Sequence, residues 1–227
     1  LQFVKARLAP EIVTEDITGS GIIPQVVDWT TQYEELQKKK MPVGVRISGF
    51  FEFPRDLMGP LALLKAYYRE PDLIHDILNT YSDLIVEVAQ RLLEKTKIDC
   101  FYVGDLLASG QGPMISPKLF KEFWLPYFQR VMKPFQQSGT KIFSILTEGN
   151  SRVLIPLFIK AGINTMVLAG GMPEGDDVVA MRRCYGTKMA FIGGLNKRSL
   201  MSFDTIDTEL EAKLPFMLKS GGYHPAI

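Results

Sequence analysis

Apolar residues fall into two alternating rhythms along this chain. Short apolar runs bounded by glycine and polar residues give way to longer stretches where apolar positions recur every three or four residues. The clearest unit covers residues 98–135. Its run IDCFYV predicts a strand buried on both faces. Gly104-Asp105 ends that strand with a carboxylate, and the small-residue loop ASGQGP follows. Ser116-Pro117 then opens a helix as N-cap and first-turn proline. Phe120, Phe123/Trp124, Tyr127/Phe128, Val131/Met132 and Phe135 form its apolar stripe, which reads as core, and Gly139 is its stop.

The same alternation predicts the neighbouring elements. Residues 10–27 read as two short strands around Thr18-Gly19-Ser20-Gly21, and TQYEELQKK as a short helix. In the strand over 41–51, Val43, Val45 and Ile47 share one face, while Arg46, Ser48 and Phe50 share the other. A helix over 54–68 carries leucines at 57, 61 and 64, and a longer one starts at Pro71. Strands follow over 141–146, 163–168 and 188–192, with helices over 151–160 and 177–185. A last helix over 204–219 should kink or split at Pro215.

This gives about five βα units without the alternation of an antiparallel sandwich. The expected fold is α/β, a (β/α)8 TIM barrel. The chain reads as an incomplete one, a fragment lacking N- and C-terminal parts, and as a single domain over 1–227. Within it, 1–42 form an N-terminal hairpin and connecting segment, and 43–227 the successive βα units. A doubly wound nucleotide-binding sheet is the competitor, but neither GxGxxG nor GxxxxGK[ST] follows any predicted strand.

Composition narrows the partners. A net charge of +1 gives no global field toward nucleic acid or anionic membrane, and Lys38-Lys39-Lys40 reads as a solvated turn. The two cysteines, Cys100 and Cys184, make neither a disulfide framework nor a paired-cysteine zinc site. No apolar run approaches the roughly 18 residues of a membrane span. A cytoplasmic protein is the default expectation. The open edges of a partial barrel are a reason to expect self-association, for instance as a homodimer.

Barrel enzymes place reacting groups at the C-terminal ends of strands and in the loops just beyond. That filter selects Arg46 and Ser48, then Asp105, then Glu148 and Asn150, then Asn196 and Lys197, with Arg55 carried as an outlier. Asp105 either receives N–H groups of its own turn or does chemistry, and Glu148 divides evenly between site and loop roles. Asn150 reads first as a helix cap, Arg46 as an anion anchor or half of a salt bridge, and Lys197 first as a surface residue. His75 falls mid-helix off the apolar stripe, and no two of His75, His224, Cys100 and Cys184 have ligand spacing. No metal site is expected. The set suits an anionic organic molecule and a proton transfer.

The segments GPMISPKLFKEFWLPYFQRVM, KIFSILTEGNSRVLIPLFIKAGIN and YGTKMAFIGGLNKRSL, in that order, resemble the uroporphyrinogen decarboxylase superfamily, over nearly the whole chain from Ile22. The resemblance is closest to the branch that also holds corrinoid and coenzyme M methyltransferases, and it implies a (β/α)8 barrel. It implies either of two chemistries. Decarboxylases, lyases of porphyrin biosynthesis, need no cofactor. They protonate a pyrrole ring of a tetrapyrrole polycarboxylate, and the cation loses carbon dioxide from an acetate arm. A buried carboxylate steadies that cation while arginines hold the other carboxylates. Methyltransferases bind zinc through histidine and cysteine and pass a methyl group between a corrinoid protein and a thiol. Where their pattern reads His-x-Cys-Gly-Asn, this chain has Leu146-Thr147-Glu148-Gly149-Asn150. The decarboxylases' arginine-rich opening and its aspartate would lie upstream of Leu1, Gly59-Pro60-Leu61 stands for their GxPxTL, and Tyr67 lies near their tyrosine. The expectation is a decarboxylase-like enzyme on a tetrapyrrole-like anion, with Asp105 and Glu148 catalytic and Arg46, Ser48, Asn150, Asn196 and Lys197 at the substrate. The alternatives are a methyltransferase relative, with zinc, and a barrel that binds without chemistry.

Overall fold

The structure, a computed structural model, describes residues 29–168, 177–201 and 203–226, so the hairpin expected over 10–27 lies outside the described residues. Helix α1 (Trp29–Lys38) leads into strand β1 (Gly44–Ser48). That strand is shorter than the apolar run because Gly49, Phe50 and Phe51 turn away from it. Tyr81 donates its hydroxyl to the Ser48 carbonyl at 2.7 Å, and Gly49 N–H reaches the Gly104 carbonyl at 2.7 Å.

The single helix expected over 54–68 is two, α2 (Glu52–Met58) and α3 (Pro60–Arg69), broken at Gly59. Gly59 takes a φ of +81°, and the proline after it disfavours helical backbone there. The break changes which face is inside: Leu63, Ala66 and Tyr67 are buried, whereas Leu57 and Leu61 face solvent. Helix α4 (Pro71–Lys95) follows, burying Ile74, Leu78, Tyr81 and Ala89.

Strand β2 (Cys100–Gly104) leads to a two-stranded ribbon, β3 (Ala108–Ser109) and β4 (Gly112–Pro113). Ser116 caps α5 (Pro117–Leu119) as expected, its hydroxyl accepting the Leu119 N–H. One wide π-helical turn, Phe120–Trp124, then joins α5 to α6 (Leu125–Gln137). The aromatic stripe is core throughout, with Trp124 stacked between Phe120 and Phe128 at 4.5 and 4.7 Å.

Beyond it come β5 (Ile142–Thr147), α7 (Ile155–Ala161), β6 (Thr165–Leu168), α8 (Val178–Tyr185), β7 (Ala190–Gly193), α9 (Lys197–Leu200), α10 (Phe203–Lys219) and β8 (Tyr223–His224). Helix α10 continues through Pro215 and does not split there. Among the described residues, no helix is long and apolar enough to cross a membrane.

The six-stranded sheet has the order β1-β2-β5-β6-β7-β8, parallel throughout. Each strand joins beside its predecessor, without the reversal of a doubly wound sheet. Right-handed crossovers in one direction send the helices to one face. Phe101, Val103, Phe143, Ile145, Met166, Leu168 and Phe191 are among the buried residues of that side. Register sets Arg46, Tyr102, Ser144, Thr165 and Ala190 in one row of the opposite face, with Ser48, Gly104, Leu146, Val167 and Ile192 in the next. That face is only partly covered: Arg46 is exposed, and Tyr102, Leu146, Val167 and Ile192 are half-buried. The fold is therefore mixed α/β, with a parallel sheet consistent with a TIM-type wall.

Candidate active site

Asp105 stands where β2 ends, and it is wholly buried. Its partners come from remote segments. Oδ1 accepts the Glu52 N–H at 2.8 Å, and Oδ2 accepts the Phe51 N–H at 3.1 Å and the Trp124 indole N–H at 2.6 Å. The two backbone donors belong to the first turn of α2, so a carboxylate meets the positive end of a helix. Its backbone is fixed as well, with its own N–H donating to the Leu146 carbonyl at 2.9 Å. Burial pushes the carboxyl up to about 7, against the three hydrogen bonds that favour its charged form, and nearby Glu52 adds to the rise. Of the two readings open in the sequence, its own turn is not what it serves: it ties β2, α2 and the π-helical turn together.

Glu52, which the sequence filter passed over, is the first residue of α2. Its carboxylate is 20% exposed and accepts the Arg55 guanidinium at 3.1 Å. Burial raises its proton affinity. The Arg55 charge opposes that rise, Asp56 adds to it, and Arg46 opposes it. The available signal was the Glu52-x-x-Arg55 spacing directly after a strand, an i,i+3 pair of opposite charge. Arg46 projects from the less covered face, its guanidinium lying over Gly104, where an added Cβ would meet Nη2 at 3.0 Å. These three side chains, with Asp105 beneath, form one acidic and basic cluster at the C-terminal ends of β1 and β2.

The other expected residues take different places. Ser48 is half-buried at the end of β1. Glu148 is exposed beyond β5. Its loop packs on the β3–β4 ribbon: Asn150 N–H donates to the Ser109 carbonyl at 2.8 Å, and a Cβ on Gly149, whose φ is +70°, would overlap that carbonyl. Asn150 Oδ1 accepts the Arg152 N–H at 3.4 Å, a local capping contact. Asn196 caps α9 by accepting the Arg198 N–H at 3.0 Å, and its own N–H donates to Glu209 at 2.7 Å. Lys197 begins α9, and its side chain lies outside the described set. His75 is not clear of the apolar packing. It stacks on Phe123 at 4.5 Å, and its Nδ1 shares a 2.6 Å hydrogen bond with the Tyr127 hydroxyl.

Among the described residues, no three His, Cys, Asp or Glu side chains gather as a metal ion would require. The loop after β5 presents Leu146 and Glu148 in place of soft donors, so the donor set does not fit a zinc–thiolate centre.

Comparison with curated proteins finds no match. The sequence profile described as "Uroporphyrinogen decarboxylase (URO-D)" does match, over residues 9–223, which is nearly the full length. Matched by that profile over nearly its whole length, and with a sequential parallel sheet consistent with a barrel, this chain belongs to the uroporphyrinogen decarboxylase (URO-D) family.

Proposed function

We propose that this chain is a cofactor-free carboxy-lyase acting on a polycarboxylate of tetrapyrrole type, on a sheet read as most of a (β/α)8 barrel. The observation that carries the reading is Arg46 on the less covered sheet face, its guanidinium lying over Gly104 at the end of β2, where its charge acts on the half-buried carboxyl of Glu52. A guanidinium there anchors a substrate carboxylate in the charge-assisted manner that suits arginine. We assign Ser48, at the end of β1, Glu148 and Asn150, beyond β5, and Asn196 and Lys197, beyond β7, to the rim of the same site.

The chemistry needs a proton and a place for charge. Protonation of an electron-rich ring carbon makes a cation. The bond to the acetate carboxylate then breaks, its electron pair returns to the ring system, and carbon dioxide leaves. A further protonation on the side-chain carbon, with loss of the ring proton, gives a methyl group, so the net uptake is one proton. Asp105, buried beneath the cluster with its carboxyl pushed up to about 7, in its ionised form contributes negative charge toward the cation. The methyltransferase alternative has no observation in its favour here, since soft donors are missing after β5.

The test is anaerobic incubation with a reduced octacarboxylate porphyrinogen, reading carbon dioxide and the mass of the porphyrinogen. Products with fewer carboxylates are expected, and Arg46→Leu should raise KM about tenfold or more. Binding without product would select the non-catalytic barrel. Zinc in one-to-one ratio with methyl transfer to a thiol would select the methyltransferase.

A further inference from the structure

We propose that Glu52 is the proton donor of this site, and that Asp105 is its positioning residue, acting through the Glu52 backbone amide. This rests on the decarboxylation reading above and names the group that starts the reaction.

Three structural facts converge on Glu52. It opens α2 directly after the C-terminal end of β1, where barrel-type sheets present their reacting groups. Its backbone is held from beneath: the Asp105 carboxylate takes both its N–H and that of Phe51, and is itself clamped by Trp124. The turn is gripped from the flank too, since Phe53 stacks on Tyr81 at 3.8 Å and Tyr81 bonds to the Ser48 carbonyl. A side chain whose backbone is fixed by so many remote partners has little freedom except at its carboxyl, which remains partly open.

The groups around that carboxyl give it opposing pulls. Arg46 from β1 and Arg55 from α2 favour the ionised form, whereas Asp56 from α2 opposes it, and the Glu52 charge in turn raises the proton affinity of Asp105 from β2. Tyr81 of α4 faces it in turn, its hydroxyl held neutral by burial and by both carboxylates. Burial is the largest of these effects and raises the carboxyl's proton affinity. Arg46 would hold a substrate carboxylate beside it, and the approach of that second anion favours the protonated acid further. In the step itself, the Glu52 O–H bond breaks, a C–H bond forms on the ring carbon, and Glu52 is left as carboxylate. Solvent reprotonates it after carbon dioxide departs.

The pH dependence of steady-state carbon dioxide release tests the assignment, using the full chain and the same porphyrinogen. Glu52→Gln is expected to lower kcat by about 100-fold or more with little change in KM, and Glu52→Asp to retain part of it. A donor must be protonated, so wild-type kcat should fall as pH rises through its pKa. That basic limb should vanish in Glu52→Gln. In Asp105→Asn kcat should fall with KM little changed, and the Glu52→Gln/Asp105→Asn double variant should be no slower than Glu52→Gln alone, whereas mere loosening of the fold would add a loss of its own. An active wild type whose folded Glu52→Gln variant keeps both kcat and the limb overturns this proposal alone. A wild type that releases no carbon dioxide overturns the decarboxylation reading and this proposal with it.

Discussion

The indole N–H of Trp124 donates to Oδ2 of Asp105 at 2.6 Å, with both side chains sealed from solvent. The two residues meet because the π-helical turn over Phe120–Trp124 gives the helix one residue more per turn, which sets where the indole points. Trp124→Phe keeps an aromatic ring but removes that donor and leaves Oδ2 with only the Phe51 N–H. A hydrogen bond to a buried carboxylate contributes about 1.5–3 kcal/mol, so a loss of at least that size is expected in urea unfolding. The Asp105 carboxyl should also hold its proton to higher pH, since a bond favouring the ionised form is gone.

Gly49 and Gly59 separate two reasons for glycine. A Cβ on Gly49 would overlap the Asp105 carboxylate, so Gly49→Ala must either push Asp105 off its three donors or unfold the turn. A Cβ on Gly59 meets nothing within 4 Å, but the backbone there has a φ of +81°. Gly59→Ala should cost about 1 kcal/mol through backbone strain, and Gly49→Ala more than about 3 kcal/mol through collision at a buried charge. Melting temperatures and soluble yield of the pair measure the difference. Equal effects would argue against the collision.

Stability should depend on pH with a sign opposite to that of an ordinary ion-paired protein. Asp105 holds its proton to about 7 in the folded chain and releases it near 3.8 when unfolded, and Glu52 is shifted in the same direction. Between those limits the native state binds more protons than the unfolded one. Stability therefore falls as pH rises through that window, by about 1.4 kcal/mol per pH unit at most for each proton retained. Asp105→Asn should flatten the curve while lowering it, because the amide nitrogen must face an N–H donor in place of an acceptor oxygen. Urea midpoints measured across the window check both statements.

Local chemistry was legible in the sequence, and distant chemistry was not. Ser116 caps its helix through the N–H three residues on, and Gly139 follows α6 with its left-handed backbone, both as their positions predict, whereas Asn196, expected at the substrate, is a cap of the same local kind. Each of these contacts is confined to one turn, so spacing is enough to find it. The parity of β1 likewise set Arg46 opposite the core. Asp105 was visible as an acid at a strand end, but its partners Phe51, Glu52 and Trp124 arrive from two other segments, and no spacing announces them. The Gly59-Pro60 break was missed for a related reason. Leucines at 57, 61 and 64 match helical spacing across a junction that is not helical, so the pattern assigned the wrong residues to the core.

Arg182 provides a test of how the last strand is held. Its side chain is buried in α8, and its guanidinium donates to the Gly186 carbonyl at 2.9 Å and the Gly222 carbonyl at 2.6 Å while lying over the Phe191 ring at 5.3 Å. Gly221 and Gly222 both have φ above +60°, and the Gly222 carbonyl also accepts the Phe191 N–H at 3.0 Å, so one arginine anchors the turn that feeds β8 against β7. Burial lowers its proton affinity, yet two carbonyls and a ring face suit a planar cation better than an ammonium. Arg182→Met keeps the apolar stem and removes the fork. Its Gly222 carbonyl still has Phe191, so the expected loss is local: faster amide exchange at Phe191 and at the residues of β8, with Tyr102 and Ile145 in the centre of the sheet unchanged. Arg182→Lys, with a charge but no fork, should fall between the two. Exchange at Phe191 that stays at the wild-type rate in Arg182→Met would show that β8 is held by its ladder alone.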